Sequence, residues 1–185
     1  MSNMYTPIFS PSAQSLPLVL FVAKEGICIR GVEVFETTMT GMEFSSHFVP
    51  EASSLIIDAY EKRQRDLEKG RASGLVDYFR TRNDHVLPSV TIFVSGITNR
   101  QQITVGHKKM VIASLEPNED RLVADGQNRL NLFQLLLEEL PYLADHTIGV
   151  KLIVTNSNTL EPQAETIKQL FSDYHRHLKK PSASQ

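Results

Sequence analysis

Apolar and polar positions divide the chain into short β-branched runs separated by longer stretches with helical spacing. Residues 18–22 and 27–34 are rich in Val, Ile, Leu and Phe on either side of Glu25-Gly26, which predicts two strands around a tight turn. A further apolar run at 89–95 follows Pro88, and runs at 110–115 and 121–124 flank the polar turn 116–120. Residues 148–154 predict the last strand. Helical spacing covers 51–68 (Leu55, Ile56, Ala59, Tyr60, Leu67) after Pro50, and resumes at Leu75, Val76 and Phe79 once Gly70 to Gly74 has interrupted it. Residues 127–140 read as a helix stopped by Pro141, and 161–178 as the last helix. Residues 43–50 lack a period and are expected to be irregular. Residues 96–106 read as a polar connector with room for one short strand.

This alternation predicts one α+β domain, a mixed β-sheet with flanking helices, over residues 18–180. The Ser- and Pro-rich residues 1–17 are expected to form a flexible arm, and 181–185 a tail. With 185 residues, 41% of them hydrophobic and 22% charged, the chain can bury a real core. Cys28 is the only cysteine, which excludes an internal disulfide and fits a reducing, cytoplasmic setting. Lying between Ile27 and Ile29, it is expected to be a buried structural thiol. The apolar run 16–23 is broken by Pro17 and lacks a basic lead, so neither a membrane span nor a signal peptide is expected. The formal charge of −2 makes no general case for nucleic acid. Two local islands differ: residues 61–82 hold seven Lys/Arg against four acids, and 168–180 hold four against one. Such islands can touch phosphates, although the wet face of a helix is their commoner use.

The unusual chemistry is Asp125-Gly126-Gln127-Asn128-Arg129, where the chain leaves a strand for a helix. Asp125 can cap the amides of the first helical turn, a purely structural use. The same geometry suits phosphate: free N–H groups at the positive end of the helix dipole, Gly126 for close approach, and Arg129 as a bidentate donor. Gln127 and Asn128 add amides able to read a base or sugar edge. The residues alone leave both uses open. Asp84-His85 and Asp145-His146 read as loop residues, and His175 and His177 diverge on a helix, so no metal site is expected. Walker loop, nucleophile elbow and zinc spacing are all missing.

The stretch VADGQNRL resembles the DGQHR signature of the DndB-type proteins associated with DNA phosphorothioate (sulfur) modification, and of a wider DGQHR-domain group. RASGLVDYFRTRNDHVLPSVTIFVSG and LFSDYHRHLKKPSAS are similar to two further blocks of that family, in the same order, spanning 71–184. The resemblance implies a core related to the ParB and sulfiredoxin group, in which a strand, a glycine turn and a helix hold nucleotide phosphate. Asp125, Gly126, Gln127 and Arg129 match the signature; Phe171, Ser172, Asp173 and Arg176 match the last motif. Asn128 stands where the signature has histidine, and His175 where the last motif has asparagine. This reciprocal exchange suggests that the two motifs face each other across one pocket. Asn cannot carry a proton at neutral pH, which weakens any hydrolytic role.

What the resemblance implies is a DNA-binding regulator or sensor linked to phosphorothioate modification or phage defence, with DNA and other DNA-modification proteins as partners and homo-oligomers open. Arg63, Arg65, Lys69, Arg71, Lys179 and Lys180 would contact DNA. Asp125, Gly126, Gln127, Asn128, Arg129, Asp173, His175 and Arg176 would line a phosphate or nucleotide pocket. A nucleotide-binding hydrolase is the alternative; it would use a nucleotide with magnesium and draw its catalytic group from Asp125, Asp173 and His175. A second alternative is a non-catalytic interaction domain in which the turn only supports the fold. The chain ends where such relatives usually continue into a further helical region, so it is expected to be a short member of the group or part of a longer one.

Overall fold

The computed structural model describes residues 14–49, 69–82, 84 and 86–177, with the backbone alone at 69–73, 75, 171 and 174–177. Seven strands form one sheet: β1 (Leu16–Ala23), β2 (Glu33–Thr40), β3 (Val90–Val94), β4 (Thr98–Val105), β5 (Lys108–Leu115), β6 (Arg121–Asp125) and β7 (Thr147–Val154). Their order is β4-β5-β1-β2-β7-β3-β6, antiparallel throughout except for the parallel β3–β7 pair, so the sheet is mixed, as expected. Among the described residues four α-helices accompany it: α1 (Gly41–His47), α2 (Lys69–Thr81), α3 (Gln127–Leu136) and α4 (Ala164–His177). Among the described residues, no helix is long and apolar enough to cross a membrane.

Strand alternation sorts the apolar residues onto the two faces of the sheet. Leu16, Leu18 and Leu20 of β1, Phe35 and Met39 of β2, Ile92 of β3, Val111 of β5 and Leu152 of β7 share one core with Phe44, Phe79, Leu130 and Phe133 from α1, α2 and α3. The opposite face carries a smaller core of Val34, Phe93, Leu122, Ala124 and Ile153, closed by Leu160 and by Ile167 of α4. α4 thus covers the β2–β7–β3–β6 half of that face. On the remaining half Val19, Phe21 and Ile112 are exposed.

Several sequence expectations are corrected. Residues 27–34 are not one strand: Gly26–Arg30 form a 3-10 turn, closed by Gly31 at φ 79, and the strand proper begins at Glu33. Residues 43–50 were expected to be irregular, but Gly41–His47 are helical. The Thr40 hydroxyl accepts the Glu43 N–H at 3.1 Å, and Phe44 packs edge-on against Phe133 at 6.1 Å. The Thr40-x-x-Glu43 spacing was a legible start signal for this helix. α2 runs unbroken through Gly70 and Gly74, anchored by buried Phe79. Residues 96–106 hold an eight-residue edge strand, β4. α3 ends at Leu136, short of Pro141, which instead opens a 3-10 turn. The last helix begins as a 3-10 turn at Glu161 before α4 proper. β1 includes Leu16 and Pro17, paired with Leu115 and Ser114. Cys28 is partly rather than fully buried, its Sγ donating to the Ala23 carbonyl at 3.6 Å. The helix expected at 51–68 lies outside the described residues.

Arg121, at the head of β6, ties the loop before it to the end of α1. Its guanidinium donates to the carbonyls of Glu119 (3.1 Å), His47 (3.1 Å) and Glu116 (2.5 Å), and it lies over the Phe48 ring. Gln134 of α3 donates to the Ser45 and Phe48 carbonyls, so the frayed end of α1 is held from two sides. His47 is buried there, and its Nδ1 has no hydrogen-bond partner among the described residues. Burial first, and the Arg121 charge second, lower its pKa from 6.5. The folded state therefore favours neutral His47, and the unfolded chain binds the proton more readily. Stability is full above the unfolded value of about 6.5 and declines as pH falls below it. Urea titrations at stepped pH should show this acid-side loss, and His47→Leu should flatten it; an unchanged slope in the variant would count against the assignment.

Candidate functional site

The strand-to-helix turn sits at the end of the sheet order, because among the described residues β6 pairs with β3 alone. Pairing runs Thr91 with Asp125 and Ile92 with Val123, so a bulge sets Asp125 apart from the regular ladder. Gly126 follows at φ 109, and a Cβ there would land inside the Val90 side chain. Only glycine satisfies both the left-handed backbone and the close approach. The Leu130 N–H bonds back to the Gly126 carbonyl at 2.9 Å and starts α3.

Asp125 does not cap that helix: Gly126 occupies the N-cap position and supplies no side-chain acceptor. The Asp125 carboxylate instead takes the Arg129 Nη2 at 3.1 Å, one helical turn ahead. Arg129 turns away from solvent, its side chain 13% exposed against 50% for Asp125. Its Nη1 donates to the Ser89 carbonyl at 2.8 Å and to the Pro88 carbonyl, both just before β3. The guanidinium therefore clasps β3, β6 and α3 together. Gln127 donates its Nε2 to the Val123 carbonyl at 2.7 Å, again inward. Asp125 is exposed, Asn128 is half-buried, and Gly126 at the N-cap offers the first-turn amides of α3 no side-chain acceptor. Such amides carry the positive end of the helix dipole.

The second motif lies on α4, whose Ile167 packs with Leu122 and Ala124 of β6. The helix that carries the second motif thus packs, through Ile167, on the strand that leads into the turn. Asp173 is partly buried and accepts the Gln169 Nε2 at 2.9 Å on its own helix. His175 and Arg176 lie on α4 as backbone only, so the Asn128–His175 exchange falls outside the described side chains. The same holds for Lys69 and Arg71 on α2, while Arg63, Arg65, Lys179 and Lys180 lie outside the described residues altogether.

Sequence reasoning passed over one basic group. Lys24, His107, Lys108 and Lys109 line an open cleft of about 490 Å³ with Phe21 and Val22, where the β4–β5 hairpin meets the end of β1. The signal was the run Gly106-His107-Lys108-Lys109, whose last three residues fall between the connector expected at 96–106 and the strand expected at 110–115.

The clasp predicts two stability effects. Gly126→Ala should lose on the order of 2–4 kcal/mol, from backbone strain and the collision with Val90. Arg129→Ala strands two backbone carbonyls and should lose on the order of 2–3 kcal/mol. Chemical denaturation measures both, and a near-neutral Arg129→Ala would contradict the clasp.

Among known protein families, DndB, described as DNA-sulfur modification-associated, matches residues 30–185. No curated protein and no solved structure matches. The family match begins just before β2 and takes in β2 to β7, the turn at Asp125–Arg129 and α4. The chain therefore belongs to the DndB family of DNA-sulfur modification-associated proteins.

Proposed function

We propose that this chain is a DNA-binding regulator or sensor of DNA phosphorothioate modification, working in the cytoplasm alongside other DNA-modification proteins or in phage defence. The observation that carries the reading is the DndB family match over most of the fold. The site geometry supports a binding rather than a catalytic role. Arg129 and Gln127 spend their donors on backbone carbonyls, and Asn128 occupies the signature position where histidine could have moved a proton. In this reading the turn keeps β3, β6 and α3 in register, and DNA is held by basic side chains elsewhere on the surface. Fluorescence anisotropy with unmodified and phosphorothioate duplexes tests it. Binding should be measurable at low salt and weaken steeply as salt rises, with a log–log slope of about −0.9 per phosphate contacted. No binding to either duplex at low salt would overturn it.

One observation favours a second reading, a phosphate or nucleotide bound at the start of α3. The N-cap residue is a glycine, so no side chain of that residue caps the positive end of the α3 dipole beside Asn128. Asp125, with Asp173, His175 and Arg176 from α4, would complete the pocket, and Asp125 would need a cation such as magnesium to sit beside phosphate. Thermal-shift measurements with nucleotides and magnesium decide this reading. Stabilisation that Asn128→Ala reduces would support it, and an unmoved melting temperature with every nucleotide would remove it.

A further inference from the structure

We propose that the tip of the β4–β5 hairpin, with Lys24 at the end of β1, is the surface that contacts the DNA backbone. This rests on the DNA-binding reading above and gives it a location. Lys24, His107, Lys108 and Lys109 are all exposed around one cleft. Among the described residues none of them takes part in an ion pair. Glu25, the acid beside Lys24, is turned to Lys151 instead. In a chain of net charge −2, this is a local excess of positive charge that no described acid offsets.

The register explains why duplex DNA is the fitting occupant. Lys108 pairs with Val105 and lies on the face of Met110 and Phe21; Lys109 pairs with Thr104 and lies on the opposite face. The two lysines therefore straddle a two-stranded ribbon, one on each side. A B-DNA major groove about 12 Å wide admits such a ribbon. Cations on both faces would then meet the phosphates on both sides of the groove. Among the described residues the ribbon's outer strand, β4, pairs with β5 alone and stands at the end of the sheet order. Exposed Phe21 and Val22 give the cleft an apolar wall beside the charges.

The test compares the wild-type chain with a Lys24→Ala/Lys108→Ala/Lys109→Ala variant and a Lys→Arg variant at the same positions, titrated with one short mixed-sequence duplex across several salt concentrations. All three positions are exposed, so circular dichroism and the melting temperature should match wild type. The alanine variant should bind roughly tenfold or more weakly, with a salt slope shallower by about one unit for each phosphate contact removed. The arginine variant should retain wild-type affinity, because a phosphate contact needs only the charge. Equal binding by wild type and alanine variant overturns this surface and leaves the DNA-binding reading standing. Absence of binding by the wild-type chain overturns both.

Discussion

The link between β3 and β4 contains only Ser95, Gly96 and Ile97, and the form of the sheet depends on it. In sheet order these strands stand at the sixth and first positions, five strand steps apart. Laid flat, that separation would be about 24 Å. Three intervening residues reach at most about 15 Å. The sheet must therefore curl, bringing its two ends together around the larger core. Hydrogen bonds anchor the start of this link to the strands beside β3. The Ser95 N–H bonds to the Asp120 carbonyl and the Ser157 N–H to the Ser95 carbonyl, while the Asp120 carboxylate takes the Leu160 N–H. Across the seam, Arg100 of β4 reaches both Glu33 of β2 and Asn156 just beyond β7.

This curl assigns work to the two ends of the sheet. At one, β6 is pinned by Arg129 to the entrance of β3, and the Asp125–Arg129 turn becomes a joint in which the Gln127 and Arg129 side chains bond inward. At the other, the β4–β5 ribbon carries exposed lysines at its tip. A signature-bearing turn devoted to holding strands together and a charged ribbon free to meet a partner are compatible within one DNA-associated protein. Buried donors that already have acceptors gain little from a new ligand, whereas exposed charges lose little by meeting one.

Much of this was legible in the sequence. The strands at 89–95, 110–115, 121–124 and 148–154 were visible because β-branched runs sit between turn residues, and α3 because its apolar residues keep a helical period. The Asp125–Arg129 motif pointed to the family that the chain matches. The misreadings have particular causes. Residues 27–34 are rich in β-branched side chains yet are interrupted by a left-handed glycine at 31, which periodicity cannot register. β4 lacks an apolar alternation because it is an edge strand with most of its side chains exposed, so a polar connector and a polar edge strand look alike. Arg129 carries a charge that suggests a ligand, and only its partners 40 and 41 residues earlier in the chain reveal a clasp. The basic hairpin tip went unseen for the same reason as β4: without the strand there is no hairpin.

The central claim is that DNA meets the β4–β5 ribbon while the Asp125–Arg129 turn serves the fold. Hydrogen–deuterium exchange of the chain with and without a saturating duplex at low salt tests it most directly. The account predicts slowed amide exchange at the ribbon tip, from Thr104 to Met110, with the amides of residues 125–130 unchanged. Protection confined to residues 125–130 and α4, or no protection anywhere, would contradict it.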